Sequence, residues 1–442
     1  MSETSDRKLT IAGAALGAAT FAVYMIGSNR SFGYDAAATF ANFVATPSLW
    51  DAFAVRSVIP TIPITQVATN DHVLLSFVSH LIYSVTASRS EVVYRVLPAL
   101  AGGATVGVST SALARRFGML AGIAAGLYIA TDPLFVDNSR DLRGYSLAAL
   151  GSVVATLILA GRWTRWRLLA YAVVMGLAIV AQLFAGVVLA CHIAWIATRR
   201  SRSHLIELAP AWIGAGLVGV AAYAGIYVTE LTRHGLPEPL FYPTFPSDLV
   251  FFLVGAPVLL PMGLWLSSAG LGLWVERRHV WLWTTVAVVT VAVLVLWLVL
   301  RPAFLYPRFF IFLVPACAYL MAAAIARWWV LAPVVALGAA AAVMSQASGY
   351  TQDPLALPAA AGAVDRIHAA GGRPCVIHSD EQILSAYTSS FTVVTRSDQL
   401  AACDAVVVVS WGLDLGLRDR AAQEFPRLTT LPAYYPAVVL ER

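Results

Sequence analysis

Ser139-Arg140-Asp141-Leu142-Arg143-Gly144-Tyr145 is a knot of charge at the junction of two long apolar runs, 118–136 and 144–161. A second polar island, Ser31-Phe32-Gly33-Tyr34-Asp35, follows the first apolar run, 9–27. Between such islands the chain is nearly all hydrocarbon: 59% of its 442 residues are hydrophobic and only 12% are charged. A soluble domain carries roughly twice that charged fraction. Stretches such as 9–26, 144–160 and 280–300 approach the length a bilayer requires, about 20 apolar residues. The expected fold is therefore an α-helical polytopic membrane protein.

The first run has a basic leader, Arg7-Lys8, but Gly27-Ser28-Asn29-Arg30 is a poor small-residue cleavage site, so it reads as a retained helix. The net charge of +5 comes with no basic stripe interleaved with aromatics, which argues against a nucleic acid partner. The four cysteines have no metal-ligand spacing. Cys375 and Cys403, in the polar C-terminal part, can pair if that part is extracytoplasmic.

Arginine clusters set the topology, because short cytoplasmic loops are enriched in Lys and Arg. Arg115-Arg116, the Arg162 to Arg167 segment, Arg199-Arg200-Ser201-Arg202 and Arg277-Arg278 are assigned inside. The run 168–198 is too long for one crossing at 1.5 Å per residue, so two crossings should turn near Gln182-Leu183-Phe184. The run 72–87 carries Ser76, Ser79, His80 and Ser84 and reads as an amphipathic helix in the interfacial plane. Residues 28–95 then form one long external loop, and the chain makes about eleven spans in all, with the N-terminus cytoplasmic and the C-terminus outside. Arg30, Arg56, Arg89, Arg140, Arg143, Arg233, Arg301 and Arg308 fall on the outer side, against the usual charge bias, which suggests that they face an anion.

Residues 1–349 are read as the transmembrane domain and 350–442 as a small extracytoplasmic α/β domain. Strands are expected at 376–378, 392–394, 405–409 and 438–440, alternating with helices near 354–370, 380–389 and 414–424. That order argues a largely parallel sheet. No Gly-rich phosphate loop follows any of the strands.

The candidate site gathers on the outer side. Asp35 is either the N-cap of a helix over 36–44 or a functional carboxylate beside Tyr34. Asn70-Asp71-His72 opens the in-plane helix, as a cap or as groups facing the same cavity. Arg140, Asp141, Arg143 and Tyr145 fit snorkelling anchors, but two arginines around an aspartate exceed what anchoring needs. Guanidinium groups are the preferred bidentate partners of phosphate. Arg301 and Arg308 stand at one further external boundary, so Arg143, Arg308, Arg140 and Arg301 together suit a phosphate ester at the outer leaflet.

These residues carry a family resemblance. An aspartate in the first external loop, then Asn70-Asp71-His72-Val73-Leu74-Leu75, then Arg95-Val96-Leu97-Pro98-Ala99-Leu100 leading to Arg115-Arg116-Phe117-Gly118, resembles the polyprenyl-phosphate-dependent glycosyltransferases of the GT-C superfamily. The nearest group is that of the protein O-mannosyltransferases and aminoarabinose transferases, families 39 and 83. Ser139-Arg140-Asp141-Leu142-Arg143-Gly144-Tyr145-Ser146 is similar to their Ser-Arg-Glu-Ala-Arg-Gly-Tyr-Ser, and Pro307-Arg308-Phe309 through Pro315 to their Arg-Tyr-Leu…Pro. Two departures stand out: His72-Val73-Leu74-Leu75 replaces a His-Pro-Pro-Leu, and Asp35-Ala36 replaces an Asp-Glu pair.

The resemblance implies an inverting transferase in the bacterial inner membrane, moving a sugar from a polyprenyl-phosphate donor to a glycan, lipid or protein acceptor of the cell envelope. Asp35 would be the general base, Arg143, Arg308, Arg140 and Arg301 would bind the donor phosphate, and Tyr34, Asp71, His72 and Tyr145 would line the cavity. No cofactor is implied; a divalent metal is compatible with Asp71 and His72 but not required. The alternative is a polytopic transporter or lipid flippase. Transporters place ionisable groups near the bilayer midplane, where His192 is the only clear example, and often show repeated halves, of which none is visible.

Overall fold

The computed structural model describes residues 3–53, 72–199, 202–234, 243–253, 259–300, 306–351, 356–409, 415–431 and 437–442. Asp71 and Arg301, two of the expected site residues, lie outside them. The first half runs through α1 (Glu3–Tyr24), α2 (Tyr34–Thr39), α3 (Val73–Thr86), α4 (Glu91–Phe117), α5 (Met119–Thr131), α6 (Pro133–Ser139), α7 (Tyr145–Ala160), α8 (Arg165–Ala181) and α9 (Gly186–Arg199). The second continues with α10 (Arg202–His234), α11 (Phe245–Leu253), α12 (Leu259–Glu276), α13 (Val280–Leu294), α14 (Leu313–Arg327) and α15 (Leu331–Thr351).

Among the described residues, Glu91–Phe117, His204–Ile226 and Val280–Val299 are long and apolar enough to cross a bilayer, and α5 with α6 would make a fourth span. That is fewer than the expected eleven. Several apolar runs fold as shorter helices, and the run 118–136 is broken at Asp132-Pro133 by a 62° bend. The break has a local cause: Asp132 Oδ1 accepts from the Phe135 amide at 3.0 Å, and Pro133 starts the new helix, so α6 has its own N-cap. The run 168–198 does break where its length demanded, with α8 ending at Ala181 and α9 starting at Gly186.

Backbone contact joins α1 to α4. A Cβ on Gly17 would come within 2.7 Å of the Gly103 carbonyl oxygen, and one on Gly13 within 2.5 Å of that of Gly107. Small residues four apart on both helices permit this approach, which is how helices associate where lipid removes the hydrophobic drive.

The C-terminal unit comprises α16 (Leu357–Ala369), β1 (Pro374–Ile377), α17 (His378–Leu384), β2 (Thr392–Val394), β3 (Ala405–Val409), α18 (Leu415–Glu424), β4 (Arg427–Leu431) and β5 (Ala437–Glu441). The sheet order is β2-β1-β3-β5-β4. Strand β1 is parallel to β2 and β3, while β5 is antiparallel to β3 and β4. The sheet is thus mixed rather than largely parallel, because Arg427–Leu431 forms an edge strand that the sequence reading did not contain. Its residues are mostly exposed and only two of the five are apolar, so no hydrophobic alternation announces it. Cys375 and Cys403 are joined by a disulfide.

One buried cluster fuses this unit to the helical part. Phe32, Ala36, Ala37, Phe40 and Leu142 pack with Leu357, Val364, Val376, Ile383, Leu384 and Val407. The C-terminal unit therefore sits on α2 and the 139–145 turn, at the end of the helical part where the polar islands lie.

Candidate functional site

A helix ends with backbone carbonyls that lack intrahelical partners, and this site is built on such ends. After α1 the chain turns through Gly27, whose positive φ of 68° suits a residue without Cβ. Arg140 donates to the Tyr24 and Ile26 carbonyls at 3.3 and 2.6 Å. Arg95 donates to the Ser28 and Ser31 carbonyls, both at 2.8 Å, and to that of Arg30. Both arginines are 3% exposed. Cations are favoured at a helix C-terminus, and here two of them hold the segment that leads into α2. From the other side, the Tyr387 hydroxyl accepts from the Phe32 amide at 2.8 Å and donates to Glu91 Oε1 at 2.7 Å.

That segment delivers Asp35. The N-cap of α2 is Gly33, with no side-chain cap bond, so Asp35 lies inside the first turn and is not the cap. Its Oδ2 meets two guanidinium groups: Arg143 from the 139–145 turn, and Arg308 at 2.7 Å from the short helix Pro307–Phe310. The Arg143 side chain is 2% exposed, whereas Asp35 and Arg308 are each about a quarter exposed, so the cluster opens on one side. Burial works against the charged carboxylate, but the two guanidinium groups outweigh it and hold Asp35 below the usual carboxylate range. Arg308 also lies over the Tyr306 ring, 4.5 Å from its centroid, and 5.9 Å from that of Tyr145.

His72 completes the cluster. It is buried, its Nδ1 lies 3.0 Å from the Ala181 carbonyl at the end of α8, and its ring meets Tyr145 edge-on with centroids 4.5 Å apart. A carbonyl only accepts, so Nδ1 carries the proton and Nε2 presents a lone pair; Nε2 is buried with no hydrogen-bond partner. Burial first, and then the charge of Arg143, push this imidazole down to about 3, so it is neutral at any physiological pH. Gly144 makes the convergence possible: a Cβ there would come 2.3 Å from the same Ala181 oxygen. Phe309 stacks on Tyr145 and Phe184, with centroids at 6.4 and 4.8 Å, and lines the apolar flank.

Of the expected residues, the structure brings together Asp35, Arg143, Arg308, His72 and Tyr145. Tyr34 precedes Asp35 in α2. The Arg140 guanidinium is engaged by the carbonyls at the end of α1. Arg95, Glu91 and Tyr387 were given no role from sequence. Arg95 stood in a motif that carried the resemblance, while nothing in the sequence around Tyr387 marked it. His192, the mid-span histidine, is bonded to Tyr171 at 3.0 Å and Thr156 at 2.9 Å, and so ties α7, α8 and α9 together. Among the described residues no three His, Cys, Asp or Glu side chains gather as a metal site would require.

No family model matches the sequence, and no curated protein matches it. Solved structures do match. ArnT from Cupriavidus metallidurans in the apo state superposes with a TM-score of 0.59 at 13% identity, covering 96% of this chain and 97% of that one. The same protein bound to undecaprenyl phosphate gives 0.57 at 14% identity, covering 99% and 98%. The Archaeoglobus fulgidus oligosaccharyltransferase, in complex with Zn and sulfate, gives 0.52 at 12% identity, covering 94% and 69%. The chain thus has the fold of ArnT and of that oligosaccharyltransferase, the GT-C fold that the ordered motifs led one to expect.

Proposed function

We propose that the protein is a membrane glycosyltransferase that takes a sugar from a polyprenyl-phosphate donor at the extracytoplasmic face and passes it to a hydroxyl of a cell-envelope glycan, lipid or protein. The observation that carries this reading is the meeting of Asp35, Arg143 and Arg308, from three distant segments, in a cluster exposed on one side. The fold is shared with a protein whose structure was determined bound to undecaprenyl phosphate. The disulfide between Cys375 and Cys403 supports an oxidising compartment for the C-terminal unit, and hence for the end of the molecule on which it packs.

In this mechanism the acceptor hydroxyl gives its proton to the Asp35 carboxylate as its oxygen bonds to the anomeric carbon. The bond from that carbon to the phosphate oxygen breaks, and the lipid phosphate leaves with the electron pair. Attack from the face opposite the phosphate inverts the anomeric centre. Arg143 and Arg308 stabilise the charge that develops on the leaving group, an effect worth several kcal/mol when donors are already in place. A positioned base adds about 10²–10⁴-fold. Neutral His72 donates its Nδ1–H to the Ala181 carbonyl and meets Tyr145 edge-on, so it braces the wall of the site from behind.

The test is mass spectrometry of lipid that co-purifies with the protein, with any attached sugar intact. A polyprenyl phosphate or its glycosyl ester is expected from wild type and should be lost from Arg143→Gln with Arg308→Gln. A preparation carrying only bulk phospholipid would overturn the reading. Transfer from that donor should fall at least 10²-fold in Asp35→Asn.

A further inference from the structure

We propose that Asp35 here takes the place of the donor phosphate between Arg143 and Arg308, and that arrival of the phosphate releases the carboxylate to act as base. This rests on the lipid-phosphate reading given above.

The geometry presents a conflict that such an exchange resolves. A carboxylate that bonds two guanidinium groups through one oxygen is a ligand for them, and a strongly ion-paired carboxylate is a weak base. Yet Arg143 is almost fully buried, and a desolvated cation without an anion is costly. Some anion must therefore accompany it at every stage, and before the donor binds Asp35 is that anion. Carboxylate and phosphate present the same kind of oxygen edge to a guanidinium fork, so they compete for the same N–H groups. A phosphate, with more oxygens and equal or greater charge, takes over the pairing.

The surroundings allow the exchange. Arg308 and Asp35 are on the open side of the cluster, while Arg143 is at its closed end. Tyr306 lies under the Arg308 guanidinium and supports the cation whichever anion it holds. His72 is neutral and adds no competing charge. Coupling of this kind is reciprocal: the phosphate weakens the hold on Asp35 by as much as Asp35 weakens binding of the phosphate.

The reciprocal term is what an experiment reads. Binding of farnesyl phosphate, with farnesol as control for the apolar chain, is measured on the full-length protein in detergent for wild type, Asp35→Asn, Asp35→Ser and Asp35→Glu. The neutral variants should bind farnesyl phosphate roughly tenfold more tightly than wild type, about 1.4 kcal/mol, with farnesol affinity unchanged. Asp35→Glu, which keeps the competing charge, should gain nothing. Asp35→Ser stands in if the asparagine variant does not fold. Equal or weaker binding by the neutral variants would overturn the exchange, since the carboxylate would then be organising the arginines for the phosphate. If wild type binds farnesyl phosphate no better than farnesol, the lipid-phosphate reading itself falls, and the exchange with it.

Discussion

The Tyr387 hydroxyl lies 2.8 Å from the Phe32 amide nitrogen, so a residue of the C-terminal unit holds the backbone three positions before Asp35. The same oxygen donates to Glu91 at the start of α4, so two hydrogen bonds link the three residues, and the Tyr387 ring lies tilted against the buried Phe32 ring.

Removing that hydroxyl should loosen the loop more than the fold. Tyr387→Phe leaves the Phe32 amide without an acceptor, which costs about 1–3 kcal/mol. Hydrogen exchange should accelerate at residues 31–36 while the spanning helices keep their protection. Unchanged exchange at the Phe32 amide would show that another acceptor replaces the tyrosine.

Arg95 is a heavier loss. It satisfies carbonyls of Ser28, Arg30 and Ser31, and its guanidinium also lies 5.5 Å from the Phe32 ring centroid. Arg95→Met keeps most of the volume but strands those carbonyls, and should cost about 3 kcal/mol or more. The apparent Tm in detergent should fall, with transfer lost in parallel. A variant with native Tm and native transfer would refute the clamp.

His72 predicts a direction with pH. In the folded protein its imidazole stays neutral down to about 3, whereas the unfolded chain takes up a proton near 6.5. Its share of stability is intact above pH 6.5 and is lost as the pH falls from there towards 3, at up to about 1.4 kcal/mol per unit. His72→Asn, which retains a donor for the Ala181 carbonyl, should remove that slope. Thermal unfolding at pH 7 and pH 5 is the measurement; an equal drop in Tm for both proteins would contradict the assignment. Asp35 acts lower on the scale. Its pairing with Arg143 and Arg308 is retained above the unfolded carboxylate value of 3.8, and its loss belongs to pH below that.

The disulfide gives a simpler prediction. Cys375 and Cys403 should resist maleimide until reduced, and Cys375→Ser should lower the stability of the C-terminal unit by about 3 kcal/mol. Labelling of both thiols in unreduced protein from intact membranes would argue against the pairing and against the sidedness inferred from it.

Much of the site was legible because charge is so scarce in this chain. Asp35, Arg143, Arg308 and His72 each interrupt hydrocarbon, and a solitary ionisable group in such surroundings needs a partner. What could not be read was which group each one meets. Arg140 and Arg143 look alike in sequence, yet one holds the end of α1 and the other holds Asp35, a difference made by the tight turn between them. Tyr387 was invisible for a related reason: a tyrosine in an ordinary soluble segment carries no mark of a contact hundreds of residues away. The bend inside the run 118–136 was hidden by continuity of composition. Hydropathy runs straight through Asp132-Pro133, where the backbone bends, and only the cap and the proline record the break. The exposed edge strand Arg427–Leu431 escaped for want of an apolar face.

The seating of the sheet-bearing unit on α2 bears on how the protein matures. The ribosome delivers Asp35 first, Arg308 273 residues later, and Ile383, Leu384 and Tyr387 later still. A nascent chain that has threaded helices α1–α15 but whose residues 350–442 have not yet folded still bares Phe32, Ala36 and Ala37. Truncation by a stop codon just after α15 should therefore yield an inserted protein with a sticky patch, a natural substrate for membrane quality-control proteases.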